Sequence, residues 1–321
     1  MRIWGSWTTG TAAALYTRLR RSDRSSIVTC FPKTIIESGE AGPHLVITAG
    51  VHGDEFEPMQ CIHVLIDQLS GRLKKGKLTL VPCVNIEAFL LGDRTASDNL
   101  DLARICPGDP KGSITMQVGH ELTELIKSAD YYIDLHTGGT RFSVFPLTGY
   151  PLNPHVESLE GSRKMAKAFN LPFIWGTDWR LQGRSMSIAC ENNIPAIYAE
   201  YEGAAVCSPQ GVMDYVDGCL NVLGMLEMII REQPESRVQT IVEDPSEGSG
   251  HMQICHPAPF DGLLTPNYGL GDKVNQGDVL GTVRTIDGTQ CQELIAGQSG
   301  TLIVLHTFAM VREGDATFVI A

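Results

Sequence analysis

The chain has 321 residues, a formal net charge of -12 at pH 7, 43% hydrophobic residues and 19% charged residues. That length allows one large or two medium domains with an ordinary supply of core-forming side chains. The acidic balance argues against nucleic acid or an anionic membrane surface as a partner, and no stretch approaches the roughly 18 apolar residues of a membrane span.

The first residues, Met1 to Thr8, lack a long apolar core and a small-residue cleavage site, so no secretory signal is expected. Nine cysteines are scattered without CxxC spacing, which disfavours a thiolate metal site and suits a reducing cytoplasm. Residues 11–20 read as a helix and 26–31 as a strand, followed by a turn at 38–43. The apolar run Leu45-Val46-Ile47-Thr48-Ala49 reads as a buried strand and ends in Gly50-Val51-His52-Gly53-Asp54-Glu55. Residues 57–69 have helical periodicity, with His63 expected to pack on the apolar face.

Residues 77–84 form the next expected strand. The long polar loop from Gly92 to Arg104 follows, and loops of this kind carry function more often than scaffolding does. An amphipathic helix over 117–129 leads into the strand Tyr131-Tyr132-Ile133, which delivers Asp134-Leu135-His136-Thr137. Further expected elements are a strand at 141–146, a helix at 154–169, segments at 174–176 and 184–190, and a strand from Pro195 to Glu200. A long helix over 210–231 closes this part. The alternation predicts an α/β fold with a mainly parallel sheet flanked by helices, and a site at the carboxyl ends of its strands.

Residues 234–250 read as a linker, which divides the chain into an α/β domain over 1–235 and a β domain over 236–321. The second part holds an internal repeat. Gly262-Leu263-Leu264 leads to Val274 and Gly277-Asp278, and Gly300-Thr301-Leu302 leads to Val311 and Gly314-Asp315. Two such halves predict a small all-β sandwich with approximate two-fold symmetry.

His52 and Glu55 stand three apart where a strand ends, and His136 follows another strand. Two imidazoles and one carboxylate make a donor set for one catalytic Zn2+ per chain, with a position left for water. Such an ion acidifies water to a pKa of about 7 and polarises a carbonyl, and a general base must then move the proton. Glu200, Glu202 and Glu57 are candidates for that base. Glu200 ends its strand, and Glu202 shares its side if the chain stays extended. Arg94, Arg104, Arg141 and Arg184 are candidates for an oxyanion donor or a substrate-carboxylate fork, and Asn99 is a further polar candidate in the long loop. Asp134, two residues before His136, can orient that ligand or merely cap a turn.

His52-Gly53-Asp54-Glu55, Arg94 with Asp101-Leu102-Ala103-Arg104-Ile105-Cys106-Pro107-Gly108, Asp134-Leu135-His136 and Glu200-Tyr201-Glu202-Gly203 together resemble the succinylglutamate desuccinylase/aspartoacylase family, a relative of the zinc carboxypeptidases. The resemblance covers residues 44–321. It implies a carboxypeptidase-like catalytic fold and a C-terminal barrel-sandwich of biotinyl/lipoyl type. No lysine stands in the hairpin around Gln290-Cys291-Gln292-Glu293 to carry a cofactor. It implies zinc on His52, Glu55 and His136, Glu200 as base and proton shuttle, and Arg94 polarising the scissile carbonyl. The family loop reads Asp-Leu-Asn-Arg, with Asn and Arg gripping a substrate carboxylate. Here Ala103 replaces that Asn and Arg104 is kept.

The expected function is a zinc-dependent hydrolase that cleaves the amide of an N-acylated amino acid or related small amide, deacetylation of an N-acetyl diamino acid being one version. A carboxypeptidase-like peptidase and a non-catalytic metal-binding scaffold are the rival readings. Self-association into a homo-oligomer is compatible with the architecture.

Overall fold

The structure, a computed structural model, describes residues 31–321. The helix expected over 11–20 and all but the last residue of the strand expected over 26–31 lie outside them.

Strand β2 (His44–Ala49) shows how the sheet is used. Its alternate residues Leu45, Ile47 and Ala49 pack with α1 (Phe56–Leu69), α4 (Val156–Phe169) and α6 (Pro209–Met225). Val46 faces the opposite layer, with α3 (Ile114–Lys127) and α5 (Ser185–Glu191). Period-2 alternation in a strand apolar on both faces is what a sheet covered by helices requires. The buried stripe of α1 runs through Pro58, Cys61, Ile62, Leu65 and Leu69. His63 lies off that stripe and is exposed, contrary to expectation.

β2 pairs in parallel with β3 (Lys77–Val81) and with β4 (Tyr131–His136), and β4 pairs in parallel with β7 (Ala196–Gly203). β1 (Thr34–Glu37) closes one edge antiparallel to β3, and β5 (Phe142–Pro151) runs antiparallel to β7. The fold is therefore mixed α/β, with the expected parallel centre. A short helix, α2 (Ile86–Leu91), and a 3-10 turn (Leu102–Arg104) flank the long loop.

Several elements depart from their expected bounds: α3 starts at Ile114, and β3, β5 and β7 end at Val81, Pro151 and Gly203. α6 ends at Met225, six residues early. The stretch expected to be a linker contains β8 (Thr240–Glu243), which pairs in parallel with β6 (Phe173–Thr177). This half-exposed edge strand, with its Glu243, lacks the apolar run that marks an interior one.

The C-terminal strands are β9 (Gly262–Pro266), β10 (Lys273–Val274), β11 (Val279–Arg284), β12 (Cys291–Ile295), β13 (Gly300–His306), β14 (Met310–Val311) and β15 (Phe318–Ile320). The repeat is visible in their pairing: β9 pairs with β14 and β13 with β10, so each half lends its second strand to the other. The turns match as well. Asp278 accepts from the Asn275 amide at 2.8 Å, and Asp315 from the Arg312 amide at 2.9 Å. β13 also pairs antiparallel with β5, so the C-terminal strands join the main sheet next to the site.

Candidate metal centre and active site

His52 lies in the turn that follows β2, and that turn is pressed against α2. A Cβ on Gly53 would lie 2.1 Å from the carbonyl carbon of Ala88, so only glycine fits there. Glu55 occupies the N-cap of α1 in extended conformation. His136 ends β4, and its register partner across the ladder is Glu200 of β7. The parallel register thus brings residues distant in sequence to one rim of the sheet.

Three donors converge there. His52 Nδ1 is 2.7 Å from Glu55 Oε1, and His136 Nδ1 is 3.0 Å from Glu55 Oε2. One ligand atom from each of the three lies within 4.8 Å of the other two. The far nitrogens are held by other carboxylates: His52 Nε2 faces Asp101 Oδ1 at 3.1 Å, and His136 Nε2 faces Asp134 Oδ2 at 3.1 Å. Asp134 is itself fixed by the hydroxyls of Thr48, at 2.8 Å, and Ser185. Tyr215 donates its hydroxyl to the His136 carbonyl. Imidazoles anchored in this way present their Nδ1 atoms to a shared point, the arrangement a divalent cation with nitrogen and oxygen donors needs. The residues fit a zinc ion.

The electrostatics agree. Burial alone would raise the Glu55 carboxyl, but His52 and His136 pull it well below the usual carboxylate range. Burial opposes ionisation of Asp101 too, and His52 and Arg94 overcome it. Glu200 differs. Burial pushes it up to about 8, with His136 pulling down and Glu55 pushing further up. Its Oε2 is buried with no hydrogen-bond partner among the described residues. A carboxyl poised near neutrality beside a metal set has the character of a general base.

A cavity of about 150 Å³ opens from this point. Arg94, Ala103, Arg104, Arg184 and Glu200 line it together with the three donors, and Trp179, Leu181 and Met186 add apolar wall. Arg94 forks onto Asp101 through Nε and one terminal nitrogen, at 3.2 and 3.1 Å, and reaches within 3.9 Å of Glu55. Arg104 donates to its own Ala103 carbonyl at 2.7 Å; burial and the nearby Arg184 bring its pKa down to about 10.

Four other candidates lie outside the cavity wall. Asn99 is exposed in left-handed conformation, φ 58°. Arg141 turns toward Asp315, 3.9 Å away, because the β5–β13 pairing draws its segment to the C-terminal strands. Glu202 is exposed: its φ of 44° breaks the extended alternation on which a shared side with Glu200 depended. Glu57 is buried in α1 and accepts from the Ser208 amide at 2.8 Å. Sequence reasoning assigned no role to Asp101, which spans His52 and Arg94; the only sign was its place in the polar loop ahead of Arg104.

Comparisons with known proteins fit this geometry. Residues 41–225 match the family profile described as the succinylglutamate desuccinylase/aspartoacylase catalytic domain. The chain is 29% identical over 299 residues to an N-alpha-acetyl-L-2,4-diaminobutyric acid deacetylase of Halomonas elongata, covering 90% of this chain and 85% of that protein. A succinylglutamate desuccinylase of Burkholderia lata is 28% identical over 177 residues, and the chain spans 47% of that protein's length. The product-bound structure of an ectoine utilization protein from Ruegeria pomeroyi superposes with a TM-score of 0.82 at 26% identity, covering 90% of this chain and 88% of that one.

Proposed function

We propose, from the premise that this chain belongs to the succinylglutamate desuccinylase/aspartoacylase family, that it is a zinc-dependent deacylase hydrolysing the amide of an N-acylated amino acid. The observation that carries this reading is the register pairing of His136 with Glu200. It sets a buried carboxyl, one oxygen of which has no hydrogen-bond partner among the described residues, beside three convergent candidate donors.

A bound Zn2+ supplies Lewis acidity toward a carbonyl oxygen and acidifies water to a pKa of about 7. The chain's own residues do the rest. Glu200 takes a proton from the attacking water and delivers it to the departing nitrogen, so amide and water become a carboxylate and an amine. Arg94 supplies a fixed cation to the oxygen on which charge develops, and Asp101 aims its guanidinium. Arg104 and Arg184 place positive charge where a substrate carboxylate can be held.

The likeness to the Halomonas deacetylase makes an N-acetylated diamino acid the first substrate to try. The purified zinc-loaded protein, screened against N-acyl amino acids and short peptides, is expected to release the acyl group from the former. Cleavage of peptides with no turnover of any N-acyl amino acid would replace this reading with a peptidase.

Three further proposals accompany it. The reciprocal strand exchange of β9/β14 and β13/β10 supports a C-terminal barrel-sandwich. The change from helices to strands alone supports a boundary near residue 235, bridged by the β6–β8 and β5–β13 pairings. The protein is assigned to the cytoplasm, where scattered cysteines stay reduced.

A further inference from the structure

One side of the cavity is apolar for a reason set by strand register. β13 pairs antiparallel with β5 so that Val304 stands opposite Val144 and His306 opposite Phe142. Residues paired across a ladder, and residues two apart on one strand, point to the same side of the sheet. Phe142, Val144 and Val304 therefore share one face, and the Phe142 ring meets His306 edge-on with centroids 4.8 Å apart. All three of those apolar residues line the cavity. Val144 and Val304 belong to one buried cluster, against which Phe142, Tyr198 and Met252 pack. The wall is thus the open side of a packed core.

Met252 lines the cavity too, and it comes from a segment after β8 that is pinned in place. Gly248 N–H donates to Asp178 at 2.8 Å, Asp178 N–H donates to the Ser249 hydroxyl at 2.8 Å, and a Cβ on Gly250 would lie 2.8 Å from the Thr177 side chain. Met252 and Val304 both lie outside the profile-matched residues 41–225.

The carboxylates of the cavity are already engaged. Among the described residues they are Glu55, Asp178 and Glu200. Glu55 lies between His52 and His136, and Glu200 is the proposed base. Asp178 accepts from the Arg180 amide and Nε on Oδ1, at 3.0 and 2.7 Å, and from the Gly248 amide on Oδ2. A substrate ammonium entering here meets apolar side chains and no spare carboxylate, and burying a charge without a partner is costly. A hydrocarbon group gains instead: one methylene in an apolar pocket is worth roughly 10- to 200-fold in discrimination.

We propose that the wall formed by Phe142, Val144, Met252 and Val304 selects an uncharged hydrocarbon group of the substrate, on the amino acid side chain or on the acyl chain, over an ammonium-bearing one. Met252 and Val304 are thereby specificity residues supplied by the part of the chain outside the family match. The inference rests on the deacylase reading for the reaction that reports it, and it separates this chain's preference from the diamino acid named for the Halomonas relative.

The test measures kcat/KM of the zinc-loaded protein for three compounds. N-acetylnorvaline and N-alpha-acetyl-2,4-diaminobutyrate have side chains of equal length that end in a methyl group and an ammonium. N-butanoylnorvaline lengthens the acyl chain alone. At least one of two ratios, norvaline over diaminobutyrate or butanoyl over acetyl, is expected to reach about tenfold, and the one that does names the group the wall receives. Both ratios at or below one would overturn the inference and leave the deacylase reading intact. Met252→Glu and Val304→Ala should each reduce that ratio severalfold. A ratio compares substrates on one preparation, so partial loss of zinc or of fold does not mimic the effect; an undiminished ratio in both variants would overturn the assignment to this wall. Hydrolysis of none of the three would remove the deacylase reading for them, and calorimetric binding then decides the pocket: tighter binding of the more apolar partner in either pair upholds it, and equal binding in both overturns it.

Discussion

His136 and Glu200 are register partners across β4 and β7, so a candidate metal donor and a buried carboxyl, one oxygen of which has no hydrogen-bond partner among the described residues, sit side by side on the sheet rim. Glu200 is not part of the His52, Glu55 and His136 group that could hold a metal ion. Glu200→Gln should therefore keep close to one zinc per chain while turnover falls by about 10²- to 10⁴-fold. Metal analysis and initial rates on the same preparation check this. A variant that keeps near-native turnover would move the base to another residue.

Asp101 accepts from His52 Nε2 and from Arg94, so one carboxylate holds both the proposed metal ligand and the proposed oxyanion donor. Asp101→Asn weakens both grips at once. Metal affinity or activity is expected to fall by roughly 10- to 100-fold, the usual cost of losing a group that orients a metal ligand. A competitive chelator titration measures the affinity. Unchanged affinity together with unchanged kcat would show that the two contacts are incidental.

The charged rim should be visible in the stability of the metal-free protein. Glu200 is raised from 4.5 to about 8, and His136 is raised above 6.5 because Asp134 and Glu55 hold its proton against the pull of burial. A raised folded-state pKa contributes stability that is fully present below the unfolded value and is lost as pH rises through the folded one. The chelated protein should thus lose thermal stability between about pH 5 and pH 9, less steeply in Glu200→Gln, and regain it with zinc. Melting curves across that range decide the matter; a midpoint that climbs with pH in the chelated protein contradicts the electrostatic account.

Much of the fold and the clustering of His52, Glu55 and His136 could be read from local pattern. Leu45 to Ala49 and Tyr131 to Ile133 are apolar runs ended by glycine-rich turns, and a residue of that cluster follows each. What escaped the reading depends on distant pairing or on a single backbone angle. Arg141 turns away because β5 pairs with β13, more than 150 residues on by sequence number. Glu202 leaves the side of Glu200 through one positive φ that alternation does not encode. Asp101 reaches a histidine 49 residues earlier. β8 was hidden because a half-exposed edge strand lacks the apolar signature of an interior one.

The central claim is that the three convergent donors hold a catalytic metal used for amide hydrolysis. Acyl release from the best N-acyl amino acid of the substrate screen tests it most directly, measured before chelation, after exhaustive chelation, and after return of one equivalent of zinc. The account predicts loss to background and recovery with zinc, with neither uptake nor recovery in His136→Ala. Full activity in protein shown to be metal-free would contradict it.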